Sequence, residues 1–399
     1  IVYVWDADYP WDVRTEKVTL ALTQAGHTVK IGARNKAWRT TTESLPEGSV
    51  HRMPPWKFVG QTLEQTLGFT AFFSPRWVRL IEQTCRKTDA DMIIVRDLPL
   101  CPTAIRVGKR LGIPVMLDMA ENYPAMMRAL WETQRHTILD YLVRNPALTK
   151  RLERSCVHAV DHIIVVVEES ADRIAGLGVA REKLSVVSNT PPLARLDRAN
   201  HSHHSRGERI EVVYMGNLEV VRGLLESVDA VALLKSTDTP IRLRVIGRGR
   251  DETLIKQRSA THGLGDDDIE FLGYIESHAD ALQIVSDSDV GLMPHRKNDS
   301  WDTTIPNKLF EYMAAGLPVV SSNAAPCERI LSETGAGRVF QSGDAQGIAA
   351  AIQEASDPDV AAQLGASGRQ AIRDRYNWEY DTSVLLEAVD HVLSSRIGI

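Results

Sequence analysis

Short apolar runs alternate with stretches of helical periodicity along most of the chain. Residues 1–5 form the first run; a helical pattern near 15–25 follows, and Gly26-His27 leads into a second run at 28–31. The rhythm continues with a strand at 92–95, a helix around 103–111, a strand at 115–118, a helix through 150–159 and a strand at 162–167. Runs of this length separated by helical segments predict βαβ units of a parallel sheet. At Asn189-Thr190-Pro191-Pro192 the pattern breaks, and the polar stretch around His201, His203 and His204 has no period, so residues 191–209 read as a linker. Strands return at 210–215, 241–246, 270–272, 290–293 and 318–321, each trailed by a helical pattern, and residues 378–393 have the spacing of a closing helix. The expectation is an α/β protein of two doubly wound, Rossmann-like domains facing a cleft. They span 1–190 and 210–376, with a C-terminal helix at 377–399 returning toward the first.

A length of 399 residues accommodates two such domains. The apolar runs are far shorter than the roughly 20 residues a membrane-spanning helix needs. The chain begins at Ile1, and its first apolar run is too short for the core of an export signal. The four cysteines, Cys85, Cys101, Cys156 and Cys327, are widely spaced, which argues against a disulfide framework and fits a reducing, cytoplasmic setting. The three linker histidines lack Cys or carboxylate partners at ligand spacing, so a solvated linker is favoured over a zinc site. Net charge is −6, unevenly spread: up to residue 190 there are 25 Lys and Arg against 21 Asp and Glu, and after it 21 against 31. So mild a basic surplus excludes a nucleic-acid footprint but suits an anionic acceptor or membrane surface.

The chemistry concentrates in Thr304-Ile-Pro-Asn-Lys-Leu-Phe-Glu-Tyr-Met-Ala-Ala-Gly-Leu-Pro-Val-Val320. Pro306 suits a helix start, Thr304 is a candidate cap and Gly316 a helix end. Unpaired amides at such a start, with Lys308 beside them, suit a diphosphate. Asn307 and Glu311, four apart, share a face and place a carboxylate about one turn deeper, where a ribose diol would fit. The competing reading is a surface helix on which Glu311 pairs with Lys308. Gly216-Asn217 after a strand lets backbone approach a ligand, and Arg222 before the next helix supplies a donor fork. Gly247-Arg248-Gly249 is a weak phosphate-loop pattern that also marks a tight strand-to-helix turn. Asp287-Ser-Asp289 looks like a metal motif but falls where capping and turn chemistry explain it.

The run 306–320 resembles glycosyltransferase family 4, retaining enzymes of the GT-B fold, and weaker similar runs extend from about Leu152 to the end. The resemblance implies a nucleotide-sugar donor and a glycan, lipid-linked or small-molecule acceptor. It gives Glu311 the ribose and makes Gly216, Asn217, Arg222, Gly247, Arg248, Asn307, Lys308 and Leu309 donor-binding. Tyr274 and Ile275 would border the base, through backbone. Where the family has an Arg and a Lys on the diphosphate, this chain has Asn217 and Arg222, and Lys308 supplies the second cation. No metal or cofactor is implied. Asp118-Met-Ala-Glu-Asn-Tyr-Pro124 resembles the family's acceptor-side pattern, with Ala120 in place of a His or Arg. Asp118 and Glu121 thus join Arg222 and Lys308 as catalytic candidates, loop and cap roles remaining the alternative. Asp12, Arg14, Glu121 and His295 are the acceptor-side candidates, with Asp12 and Arg14 the most exposed of the first loop or else caps of the following helix. Thr303 stands where the family's first paired glutamate would hold the sugar. That departure and Ala120 leave two alternatives: a catalytically weak nucleotide-sugar-binding partner, or a GT-B epimerase. Phe69, Phe72, Phe73 and Trp77 with Arg76 and Arg79 read as core packing or an acceptor groove before a peripheral membrane contact.

Overall fold

The computed structural model describes residues 1–10, 12–54, 74–133, 145–198 and 209–397. The chain divides into two units, Ile1–Val187 with Asp381–Ile399, and Ser188–Tyr380.

The first unit is built on β1 (Val2–Asp8), β2 (Lys30–Arg34), β3 (Thr42–Leu45), β4 (Gly48–Arg52), β5 (Ile93–Arg96), β6 (Val115–Met119), β7 (His162–Val165) and β8 (Leu184–Val186). They lie in the order β3-β4-β2-β1-β5-β6-β7-β8. Ile93, Ile94 and Val95 are fully buried, as are Ile163, Ile164 and Val165, so the central strands are covered on both faces. This explains why their sequences are continuous apolar runs rather than alternations. One pair departs from the parallel expectation: β3 and β4 form an antiparallel hairpin at the sheet edge. Most of its residues are polar and at least partly exposed, with Val50 and Arg52 the buried exceptions, which is why no apolar run announces it. Trp77, fully buried, belongs to this unit's core, beside Val4, Ile81 and Val95. Phe69, Phe72 and Phe73 lie outside the described residues.

The second unit has an all-parallel sheet of β9 (Ile210–Met215), β10 (Ile241–Ile246), β11 (Ile269–Gly273), β12 (Val290–Met293), β13 (Val319–Ser322) and β14 (Gly337–Phe340), ordered β11-β10-β9-β12-β13-β14. Of the stretch read as a linker, the described residues are 191–198 and 209; Ala194–Arg198 form a short helix, and Arg369 donates to the Leu196 carbonyl at 3.0 Å. His201, His203 and His204 lie outside the described residues.

In both sheets the winding reverses beside a central strand. Strand β9 pairs with β10 on one side and with β12 on the other. Doubly wound sheets bind ligands in the crevice outside the carboxyl ends at such a reversal. In the second unit that crevice lies at Met215-Gly216-Asn217 and at Met293-Pro294-His295.

Candidate functional site

Helix Lys308–Ala315 faces this crevice. It starts with Asn307 in helical conformation, and Leu309 and Phe310 donate to the carbonyls of Pro306 and Asn307 at 3.1 Å each. The amides of Asn307 and Lys308 therefore precede the first helical bonds and keep the exposed positive end of the dipole. Thr304, expected as a cap, lies three residues before the N-cap position, which Asn307 occupies. Leu309 is fully buried in the core, so only its backbone is available to a ligand.

Lys308 does not pair with Glu311. Its side chain runs inward, 6% exposed, to place Nζ 3.9 Å from the centroid of the Tyr214 ring, and Nζ has no hydrogen-bond partner. Burial holds the amine well below its usual pKa, and the positive charge of Arg222 lowers it further. Gly216 admits this approach: its φ is +150°, and a β-carbon there would lie 2.9 Å from Lys308 Nζ. The next loop is pressed as close, since a β-carbon on Gly247, φ +135°, would fall 1.9 Å from the Gly216 carbonyl oxygen.

Arg222 ends a 3₁₀ turn after β9 and is held over Trp301, its guanidinium carbon 4.9 Å from the ring centroid. Its Nη1 lies 3.2 Å from His295 Nε2, and its buried Nε makes no hydrogen bond but lies 3.8 Å from the Glu219 carboxylate. Because a guanidinium only donates, the contact fixes the imidazole: Nε2 accepts and the ring hydrogen sits on Nδ1. His295 is 2% exposed, edge-on to Trp301, and its Nδ1 has no hydrogen-bond partner. Burial, then Lys308 and Arg222, hold it neutral, well below the ordinary histidine pKa. The geometry thus assigns His295 to the cation cluster of the second unit. Tyr214 was missed because a buried strand aromatic reads as core.

Glu311, its side chain 14% exposed, lies 4.0 Å from Arg195 and 3.8 Å from His278, beside a cavity of about 160 Å³ that Leu282 and Ser286 also line. Asn217, Arg248 and Tyr274 are exposed, and Ile275 is half-buried. Thr303 donates to the carbonyl of Asp299 at 2.9 Å and offers no carboxylate. Asp287 caps helix His278–Ser286, and Asp289 accepts from the Glu211 amide at 2.8 Å, which is turn chemistry. Among the described residues no group of three His, Cys, Asp or Glu is placed to hold a metal.

In the first unit two candidates change role. Arg14 is not exposed: it is 3% accessible and bonds Asp118 through Nε at 2.7 Å and the Val187 carbonyl through Nη1 at 2.9 Å. Asp118, fully buried, also accepts from the Tyr3 hydroxyl at 2.8 Å. The pair forms an internal strut, so Arg14 is not the exposed residue expected of the first loop, and Asp118 is held by Arg14 and Tyr3. Asp12 caps helix Val13–Gln24 by accepting from the Thr15 amide at 2.7 Å, and also pairs with Arg96. Glu121 is exposed just beyond β6.

Comparison with known proteins gives this arrangement a class. Residues 12–190 match the domain described as "Glycosyl transferase 4-like domain" and residues 209–357 the one described as "Glycosyl transferases group 1". The chain belongs to the GT-B glycosyltransferases, with family 4 the consistent assignment. It is similar to WcaL of Salmonella typhimurium, a protein named for colanic acid biosynthesis, with 27% identity across 84% of this chain and 77% of that one. Phosphatidyl-myo-inositol mannosyltransferase of Mycobacterium leprae is 30% identical over 46% of this chain and 47% of its own length. Among solved structures, sucrose-phosphate synthase of Thermosynechococcus elongatus superposes with a TM-score of 0.75 at 17% identity, covering 99% of both chains. Anabaena HepE in complex with UDP follows at 0.72 and 13%, covering 98% of this chain and 99% of that one. At these identities the structures establish the fold.

Proposed function

We propose that the chain moves a hexose-type sugar from a uridine or guanosine diphosphate donor to a hydroxyl of a glycan, lipid or small-molecule acceptor, with retention of anomeric configuration. The observation that carries this reading is a set of three buried nitrogen donors without hydrogen-bond partners, Lys308 Nζ, Arg222 Nε and His295 Nδ1, at a switch-point crevice. Each orphaned donor costs about 1–3 kcal/mol unless a ligand satisfies it. A diphosphate supplies acceptors and two negative charges, which matches three donors of which, among the described residues, only Arg222 has a carboxylate nearby, Glu219 at 3.8 Å from its Nε. As the sugar leaves, charge accumulating on the diphosphate is met by Lys308, Arg222 and the start of helix Lys308–Ala315, without a metal or cofactor. The bond from C1 to phosphate breaks, the bond from C1 to the acceptor oxygen forms, and the acceptor's proton passes to the leaving phosphate oxygen. Glu311, one turn on, takes the ribose diol. HepE, crystallised with UDP and with UDP-glucose, and the named mannosyltransferase support this donor class. We place the reaction in the cytoplasm. Among the described residues no helix is long and apolar enough to cross a membrane, so a lipid acceptor would be met at its surface.

A thermal-shift screen of UDP, GDP and ADP tests the proposal. One of the first two should raise the melting temperature, and Glu311→Ala should weaken its binding about tenfold. Absence of any shift sinks the donor reading; an unchanged affinity in the variant removes the ribose assignment.

Donor binding should also take up protons. In the protein alone Lys308 titrates well below its ordinary value; a bound diphosphate raises it again. Above the lowered pKa the amine must gain a proton on binding, so affinity falls as pH rises, by up to about tenfold per unit for one proton. Calorimetry with a nucleotide sugar at several pH values, in buffers of different ionisation enthalpy, should report net proton uptake. Zero uptake would mean that the amine keeps one protonation state throughout. The same group makes the ligand-free protein more stable as pH rises toward the unfolded lysine value, because the unfolded chain holds the extra proton.

A further inference from the structure

The first sheet has a reversal of its own, which the donor site does not use. Strand β1 pairs with β2 on one side and β5 on the other, so the carboxyl ends of β1 and β5 flank a second switch-point crevice. The chain leaves β5 through Arg96 into Asp97, whose backbone adopts φ 61° and ψ 169°. Side chains other than hydrogen are strained there, and the region is essentially reserved for glycine. Asp97 is kept in it by donating its amide to the Asp118 carbonyl at 2.9 Å and accepting from the Ala120 amide at 3.1 Å. The sheet does not require the carboxylate, because β5 and β6 are already in register through Arg96 opposite Asp118. A glycine would make the same turn without strain.

The neighbours of Asp97 are charged and polar. It is 5% exposed, 3.5 Å from Arg96 Nε, a buried atom that makes no hydrogen bond. The Arg96 head is fixed from the other side by Asp12, by the Thr15 hydroxyl at 3.0 Å, and by the Trp5 ring, whose centroid is 5.0 Å from the guanidinium carbon. Resting on the glycosyltransferase reading above, we propose that Asp97, oriented by Arg96, is a specificity-determining residue that hydrogen-bonds a hydroxyl of the acceptor, a sugar or another polyol. Burial lifts the Asp97 carboxyl to about 7, against the pull of Arg96 and with Glu121 and Asp118 pushing the same way. Near neutrality it therefore both donates and accepts, as a hydroxyl does.

The test uses the full chain, UDP-glucose and GDP-mannose as donors, and methyl α- and β-glycosides of glucose, galactose and mannose as acceptor probes. In Asp97→Gly, glycoside-stimulated release of nucleoside diphosphate should fall about 10- to 100-fold, chiefly through a raised KM for the glycoside. UDP or GDP affinity should stay within about twofold, and the melting temperature should hold or rise because the strain is relieved. Asp97→Asn should recover part of the transfer. Undiminished stimulation in Asp97→Gly overturns the assignment, as does a lowered melting temperature with nucleotide affinity falling in step, which would make Asp97 a structural strut. If the wild-type chain binds nucleotide but no glycoside stimulates it, the polyol class alone is wrong. If the wild-type chain binds no nucleoside diphosphate, the donor reading fails, and this proposal falls with it.

Discussion

Methionine at position 308 is expected to make the protein more stable and to remove its catalysis. The lysine it replaces is buried with an amine that has no hydrogen-bond partner, a pKa driven down by burial, and a cation, Arg222, nearby. Methionine keeps the aliphatic stem against Tyr214 and removes the unsatisfied group, a gain of about 1–3 kcal/mol. For a unit of this size each kcal/mol raises the melting temperature by about 2–4 °C. The same substitution deletes the donor proposed to meet the developing phosphate charge, so transfer should fall about 10²- to 10³-fold and the stabilisation by UDP or GDP should shrink with it. Two thermal scans, with and without nucleotide, read both effects. A lowered melting temperature with an intact nucleotide response would instead make Lys308 a packing residue whose charge is satisfied by Tyr214 alone. Stability gained as function is lost is the mark of a group retained for its ligand.

The parts of this design visible in the sequence are those that local pattern controls. Continuous apolar runs such as Ile163–Val167 read directly as buried parallel strands, and the run around Pro306 to Gly316 showed a helix with a free start because its caps are local. The hairpin β3-β4 stayed hidden since most of its residues are polar and it has no continuous apolar run. The destination of long side chains was equally hidden. Lysine and arginine default to solvent, so a surface pair of Lys308 with Glu311 stood as the competing reading and Arg14 as an exposed contact; the fold takes both inward. His295 carried no periodic signal, and only the pairing of β9 with β12 brings it to Arg222. Asp97 is the extreme case: an unremarkable Arg-Asp dipeptide after a strand, its meaning resides in a backbone angle that no composition encodes.

Arg14→Ala is expected to destabilise the first unit by about 3–5 kcal/mol, since removing one member of a buried ion pair strands the other. Asp118, fully buried, would keep the Tyr3 hydroxyl at 2.8 Å but lose the guanidinium that neutralises it. The Val187 carbonyl would lose its donor as well, where the chain leaves β8 at the end of the first unit. A second variant separates the cost of a stranded charge from a need for this pair. With Arg14→Met and Asp118→Leu together, the interior holds no charge at that place, and much of the lost stability should return. Urea unfolding followed by tryptophan fluorescence measures both, with the shift confined to the first unit's transition and nucleotide binding by the second unit preserved. Should Arg14→Ala leave the unfolding midpoint unmoved while acceptor transfer collapses, the pair would be functional, and the acceptor-facing reading of the first loop would be restored. The strut and the proposed Asp97 site then divide the carboxylates beside β6 between them: Asp118 is paired so that it cannot react, and Asp97 is strained and only partly compensated at the crevice.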